Sequence, residues 1–278
     1  MCRLRYFFIL LFSILSLPAQ GGQTVVLIHG YLSDGSQWRP LGIVNALQQV
    51  GWVDAGHTFP SGPAMLPPLN HPNAPDHYVY TVTLPSEAFL SAQANWLGTY
   101  LQAIQARHPD NDLILVGHSV GGVVARLAVV SMGIPIKGLI TIASPHLGTD
   151  SAETGIMINN SPLGWFAPFV GLGTLNRSQG LYWDLVREYP GSLLFWLNRQ
   201  PHPMARYISV VRSGEEIGAG DCLVPAYSQD MNNVPALRGR SEIIFSVGTH
   251  ALQPADGHLL VTILATMQPD IQLPTIEK

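Results

Sequence analysis

Short, almost continuously apolar segments rich in β-branched residues alternate along this chain with longer segments of helical periodicity. Such apolar segments are typical of strands buried on both faces, and intervening helices allow neighbouring strands to run parallel. The pattern therefore predicts an α/β fold with a doubly wound, mostly parallel sheet. The predicted strands cover residues 24–29, 78–84, 112–116, 137–143, 205–212 and 241–247, and the predicted helices cover 38–50, 87–107, 120–132 and 257–267.

Two segments interrupt this alternation. Residues 51–76 are rich in Pro, Gly, Asn and His, which predicts a long loop. Residues 150–204 lie between the fourth and fifth predicted strands and hold three of the six tryptophans. A structureless loop of this length is improbable in a compact domain, so this segment is predicted to be a helical insertion.

The composition excludes two classes of protein. Charged residues make up 12% of the chain and hydrophobic residues 47%, the opposite of a disordered chain. The net charge is −4, so the chain lacks the basic excess of a nucleic-acid-binding domain, and no nucleic-acid partner is expected.

Residues 20–278 are predicted to form one domain.

The first 19 residues have the pattern of a secretory signal peptide. Arg3 and Arg5 precede an apolar run over residues 6–17, and Ala19 is a small residue suited to cleavage. This predicts export, to the periplasm or the medium. The alternative is an uncleaved membrane anchor.

After cleavage Cys222 is the one cysteine left, and it is predicted to be a buried small hydrophobe.

Residues 117–121 read GHSVG, and they follow a predicted strand and open a predicted helix. In that setting the pattern Gly-x-Ser-x-Gly predicts a nucleophile elbow, a tight turn that presents Ser119 in a strained conformation. The flanking glycines leave room where side chains would collide. The alternative is an ordinary glycine-rich turn.

The chain resembles α/β-hydrolases of the lipase and esterase type, and is similar to secreted bacterial triacylglycerol lipases. The stretches that carry this resemblance are 26–31 (VLIHGY), 117–121, 141–149 (TIASPHLGT) and 220–225 (GDCLVP). The resemblance implies an α/β-hydrolase fold in which the insertion at 150–204 is the cap. Two forms of the cap stay open: a helical layer packed on the sheet, or a mobile lid with an apolar face.

A serine hydroxyl needs a base to become a nucleophile, and the base needs a carboxylate to orient it. In this fold the acid follows the serine along the chain, and the histidine follows the acid. Asp221 is predicted to be the acid because it lies in a Gly-flanked loop after the fifth strand. Its nearby rivals are the carboxylates of Glu215, Glu216 and Asp230. His250 is predicted to be the base because it follows the sixth strand at once, and His258 is its rival.

The oxyanion hole is expected to combine the backbone N–H of Val120, the residue after the serine, with that of Tyr31, which the resemblance assigns. His29 is predicted to be structural, and His118 is predicted to point into packing behind the serine. His146 is predicted either to be structural or to support a residue that contacts the substrate. No metal is predicted, since no histidine or cysteine spacing matches a zinc site, and no cofactor is predicted.

Together these features predict a serine hydrolase that cleaves lipophilic carboxylic esters. The expected partners are a small-molecule or lipid ester substrate and, through the cap, a lipid surface in transient contact. Two alternatives stay open. One is an acyltransferase that uses the same three residues, and the other is a catalytically inactive lipid-binding module.

Overall fold

The computed structural model describes residues 21–59, 77–153, 177–214 and 220–268. The predicted signal segment and residues 154–176 of the predicted insertion lie outside these ranges. The domain boundaries and the limits of the cap therefore stay predictions. Within the described ranges, no helix combines the length and the apolar character needed to cross a membrane.

The described residues contain one seven-stranded sheet in which every neighbouring pair of strands is parallel, in the order β2-β3-β1-β4-β5-β6-β7. This confirms the predicted fold class. Since β1 and β4 are neighbours near the middle, the segments that follow them meet at one edge of the sheet. The strands are β1 (Gln23–Ile28), β2 (Val53–Thr58), β3 (His77–Val82), β4 (Asp112–His118), β5 (Gly138–Ile142), β6 (Arg206–Ser213) and β7 (Ser241–Val247).

Helices cover both faces of the sheet, which explains why its central strands are apolar throughout. Val26 and Ile28 of β1 belong to the core cluster on one face, while Val25 and Leu27 belong to the cluster on the other. Helices α2 and α3 pack on the first face, and α1 and α7 on the second. The described helices are α1 (Ile43–Gln49), α2 (Leu90–Arg107), α3 (Val120–Met132), α4 (Gln179–Leu185), α5 (Leu193–Leu197), α6 (Ala226–Gln229) and α7 (Pro254–Ala265).

The prediction of a continuous loop over residues 51–76 is wrong at its start, because Val53–Thr58 forms β2 and pairs with β3. This edge strand is only partly buried and contains Gly56, where the register shifts, so its sequence lacks the apolar pattern of the central strands. A two-bond ion pair between Arg39 and Asp54, at 2.6 and 2.9 Å, supports the strand. Residues 60–76 lie outside the described residues.

A buried arginine connects the described end of the predicted cap to the core. Arg126 of α3 is fully buried and donates hydrogen bonds to Asn198 Oδ1 (2.6 Å), His146 Nδ1 (3.0 Å) and His202 Nε2 (3.3 Å). Both imidazoles must be neutral to accept these bonds. Asn198 follows α5 and also donates to the carbonyl of His146, at 3.0 Å. The network therefore joins α3, the loop after β5 and the described end of the predicted cap, and it makes His146 structural, one of its two predicted roles.

Acid is expected to destabilise the fold in a defined pH range. Burial and the charge of Arg126 lower the pKa of His202 to about 4, and the same causes lower the pKa of His146 well below 6.5. The unfolded chain takes up protons on these imidazoles below about pH 6.5. In the folded chain His202 stays neutral until about pH 4, and His146 also resists protonation well below pH 6.5. Stability is therefore complete above pH 6.5 and decreases as the pH falls towards 4, by roughly 1 kcal/mol per pH unit for each such histidine.

Urea unfolding between pH 8 and pH 4.5 measures this effect. His202→Gln keeps an acceptor for Arg126 and removes one titrating group, so we expect a shallower dependence on pH. His258→Gln alters an exposed histidine and serves as the control. A free energy of unfolding that stays constant from pH 7 to pH 5 would contradict the prediction.

Candidate active site

Ser119 lies on a strained turn between β4 and α3, with φ of 52° and ψ of −127°. A Cβ atom at position 117 would lie 2.4 Å from Cα of Gly122, and one at position 121 would lie 2.4 Å from the carbonyl oxygen of His29. Only glycine fits at either position, because both close approaches are to backbone atoms. The turn has the geometry that the GHSVG pattern predicts, and it presents the serine hydroxyl at the edge of the sheet.

The structure brings Ser119, His250 and Asp221 into one chain of hydrogen bonds. His250 Nε2 lies 2.8 Å from Ser119 Oγ, and His250 Nδ1 lies 2.8 Å from Asp221 Oδ2. A carboxylate only accepts hydrogen bonds, so Nδ1 carries the proton in neutral His250 and Nε2 is free to accept from the serine hydroxyl. The arrangement can therefore remove a proton from Ser119.

Asp221 is held as a buried carboxylate. Its side chain has no exposed surface, and Oδ1 accepts the backbone N–H groups of Leu223 (2.8 Å) and Val224 (2.7 Å). Burial alone would raise the pKa of Asp221, but the hydrogen bond and charge of His250 and the two N–H groups outweigh it, so the pKa lies below its ordinary value. Asp221 is therefore ionised at neutral pH and can orient the imidazole.

The rival residues lie elsewhere or outside the described ranges. His258 is on an exposed part of α7. The side chain of Asp230 accepts the backbone N–H of Asn232 at 2.8 Å, which caps a short 3-10 helix. Glu215 and Glu216 are outside the described residues.

The loop that carries His250 has two supports that the sequence pattern did not indicate. The prediction that His118 points into packing behind the serine is wrong in part: the side chain is buried, but it lines the same cavity as Ser119, and its Nε2 donates to the carbonyl of His250 at 2.8 Å. Burial lowers the pKa of His118 to about 4, so this imidazole is neutral at pH 7. Asp256 accepts the N–H of Gln253 at 2.7 Å and pairs with buried Arg212 at 2.6 Å. The spacing of these residues along the chain gave no signal for either contact.

The segments that carry the two expected oxyanion donors lie beside the serine. Val120 begins α3, where the first N–H groups have no partner within the helix. A Cβ atom at position 30 would lie 2.9 Å from Cβ of Ser119, so the segment after β1 passes directly beside the serine. His29 shapes this segment, since its Nδ1 donates to Gly30 O (2.7 Å) and its Nε2 accepts from Leu84 N (2.8 Å). This is the structural role that was predicted for His29.

A cavity of about 500 Å³ opens beside Ser119 and His250. Tyr31, Val120 and His118 also line it. Most of the wall of the cavity is apolar. Residues of the core and of the described part of the predicted cap both line it. The apolar lining includes Leu32, Ala152, Leu181, Leu185, Leu223 and Val224.

Cys222 is exposed, so the prediction that it is buried is wrong. It lies at the tip of a turn closed by a bridge between Gly220 and Pro225, and Asp221 turns inward towards His250. Cys222 and Leu223, which follow Asp221 on this turn, are both exposed. Within the described ranges, no group of three or more His, Cys, Asp or Glu side chains is placed to hold a metal ion.

Comparison with known proteins shows the family. The model of the PGAP1-like alpha/beta domain matches residues 19–157, which is half of the chain and includes Ser119. The chain belongs to the PGAP1-like alpha/beta domain family. None of the curated protein sequences matches it significantly.

Solved structures show the same fold at low sequence identity. A gene product of Listeria innocua is 15% identical with a TM-score of 0.59, over 92% of this chain and 96% of its own. Bacillus licheniformis lipase BlEst2 in its mature form is 14% identical with a TM-score of 0.59, over 91% and 95%. A candidate cell surface hydrolase of Lactobacillus plantarum is 16% identical with a TM-score of 0.52, over 89% and 92%. The fold is that of α/β-hydrolases, as the resemblance implied.

Proposed function

We propose that this protein is a serine hydrolase that cleaves lipophilic carboxylic esters through Ser119, His250 and Asp221. One observation carries the proposal. The serine hydroxyl, the imidazole and the carboxylate are linked by two hydrogen bonds of 2.8 Å at the wall of an apolar cavity. One of the solved structures with the same fold is named as a lipase, and this supports ester hydrolysis as the class of reaction.

The chemistry follows from this geometry. Ser119 Oγ attacks the ester carbonyl while His250 Nε2 takes the hydroxyl proton, and Asp221 stabilises the imidazolium that forms. Negative charge develops on the carbonyl oxygen, where the N–H groups of Tyr31 and Val120 donate hydrogen bonds worth about 3 kcal/mol each. When the tetrahedral intermediate collapses, His250 gives its proton to the leaving alcohol. Water then attacks the acyl-enzyme, with the same imidazole as base, and releases the acid.

The cavity favours a lipophilic acyl group. Its walls offer contact to apolar chains, and the hydroxyls of Thr149 and Ser151 on its lining donate to the carbonyl of Leu223 rather than face a substrate unpaired. Hydrophobic burial favours each added methylene by about 0.8 kcal/mol, as long as the chain fits.

Acyl-chain preference tests the substrate class. In a series of p-nitrophenyl esters, kcat/KM is expected to rise from acetate to butyrate by roughly fourfold per methylene. Ala152→Leu fills part of the buried lining and should reduce this rise while leaving acetate turnover nearly unchanged. Ala255→Leu, at an exposed site on α7, is the matched control. Equal or better turnover of acetate by the wild type would count against a lipophilic substrate.

The alternatives are separated by two further observations. An intact hydrogen-bonded serine, imidazole and carboxylate favours an enzyme over an inactive binding module, and a fluorophosphonate probe that labels serine hydrolases distinguishes them directly. An acyltransferase would form a new ester when a second alcohol is supplied at concentrations far below that of water.

The exposed rim of the site supports the proposal of transient contact with a lipid surface. Leu32 and Leu223 line the cavity and are exposed, and Trp183 of α4 is 47% exposed.

Residues 1–19 are proposed to direct export, in keeping with the description of the Lactobacillus protein as a cell surface hydrolase. N-terminal sequencing of the exported protein tests this proposal.

A further inference from the structure

Three hydroxyl groups join the segment after β1 to the described part of the cap. Tyr31 donates from its phenol to Ser178 Oγ at 2.9 Å, and its oxygen lies 2.7 Å from the hydroxyl of Tyr182. The two tyrosine rings also meet edge to face, with centroids 5.8 Å apart. Tyr31 is thus both the proposed second oxyanion donor, through its backbone N–H, and the residue whose side chain reaches the predicted cap.

The cap side of this contact is firmly held. Ser178 is fully buried and accepts the backbone N–H of Tyr182 at 3.0 Å through its carbonyl. Leu181 and Leu185 of α4 are buried in the main core cluster. Asp184 accepts the N–H of Leu90, the first residue of α2, at 2.8 Å. The three hydroxyls therefore connect Tyr31 to a helix that cannot shift without disturbing the core.

The residue after Tyr31 is strained. Leu32 has a φ of 54°, a left-handed conformation that non-glycine residues rarely adopt, although its side chain is 60% exposed. Such strain persists only where the structure on both sides enforces it. Downstream, Gly35 N donates to Thr83 Oγ1 at 2.9 Å and Asp34 accepts the N–H of Ser36 at 2.6 Å. Upstream, the hydrogen bonds of the Tyr31 phenol restrain the turn together with the bond from His29 to the carbonyl of Gly30.

We infer that the hydroxyl cluster of Tyr31, Ser178 and Tyr182 is a positioning device that holds the backbone N–H of Tyr31 in place for the oxyanion. The inference rests on the proposed function. Oxyanion stabilisation depends on donors held within tenths of an ångström, so a small relaxation of this turn reduces transition-state binding more than ground-state binding. Ser178 and Tyr182 are positioning residues, because they affect the oxyanion only through their hydrogen bonds to the Tyr31 phenol.

The test uses variants that remove hydroxyls and keep every backbone N–H. Tyr31→Phe removes both hydrogen bonds and is expected to lower kcat for p-nitrophenyl butyrate about tenfold with KM unchanged. Tyr182→Phe and Ser178→Ala each remove one bond and should have smaller effects of the same kind. Tyr31→Phe combined with Tyr182→Phe should be no worse than Tyr31→Phe alone, because both changes break the same contact.

Inhibitor binding separates positioning from general damage. A trifluoromethyl ketone, which forms an oxyanion with Ser119, should bind about tenfold more weakly to Tyr31→Phe, while the matching methyl ketone should bind equally to both proteins. Tyr189→Phe, at an exposed tyrosine of the same segment, is the control for both readouts. Unchanged kcat in Tyr31→Phe, or a raised KM with kcat intact, overturns the inference. A wild-type protein that neither hydrolyses esters nor reacts with a fluorophosphonate overturns the proposed function itself.

Discussion

Ser119→Ala is expected to lower kcat for ester hydrolysis by about 10⁴- to 10⁶-fold, the range found when a serine nucleophile is removed from a triad. The hydroxyl makes the hydrogen bond to His250 Nε2 and, in the proposed mechanism, forms the acyl-enzyme, whereas alanine keeps only the compact side chain that the turn requires. Initial rates with p-nitrophenyl butyrate measure the loss, and labelling by a fluorophosphonate should disappear with it.

The control for this variant is Ser131→Ala, at an exposed position of α3, the helix that follows Ser119. It should keep both the rate and the labelling. Labelling that persists in Ser119→Ala would place the nucleophile at another residue and contradict the proposed mechanism. Circular dichroism of both variants checks that the fold is retained.

His250→Ala is expected to lower kcat by a similar factor, because no other imidazole contacts Ser119 Oγ among the described residues. The loss has two physical sources. The serine keeps its proton, and the leaving alcohol receives none. His258→Ala is the matched comparison, since sequence order alone allowed either histidine to be the base and His258 is exposed on α7.

We expect His258→Ala to retain nearly the full rate on the whole ester series. If instead His258→Ala is inactive and His250→Ala is active, the hydrogen-bond chain described above is not the catalytic one. The comparison also reports on Asp221, because the carboxylate can act only through the histidine that contacts it.

The nucleophile turn was predictable from sequence because its determinants are local. The two glycines that flank Ser119 relieve contacts with Gly122 and with the end of β1, so a five-residue pattern carries the whole geometry. Asp221 and His250 were predictable only through their order along the chain, since each follows a strand at the same edge of the sheet. That order narrowed the base to two histidines and did not choose between them.

Errors arose where structure depends on partners distant in the chain. Strand β2 has a weak apolar pattern and forms because β3 supplies its hydrogen bonds and Arg39 pairs with Asp54. Cys222 is exposed because the turn that buries Asp221 points its neighbour outward. Neither outcome has a signature in the residues themselves.

The amino-acid sequence by itself determined the layered α/β architecture, the strained serine turn and the set of side chains available for chemistry. Periodicity and glycine spacing act over a few residues, and they carry this information directly. Only the tertiary structure decided which histidine meets Ser119, how His118 and Arg212 support the His250 loop, and that Tyr31 reaches Tyr182. These contacts join residues far apart in the chain, and only the packing of the folded core brings them within hydrogen-bond distance.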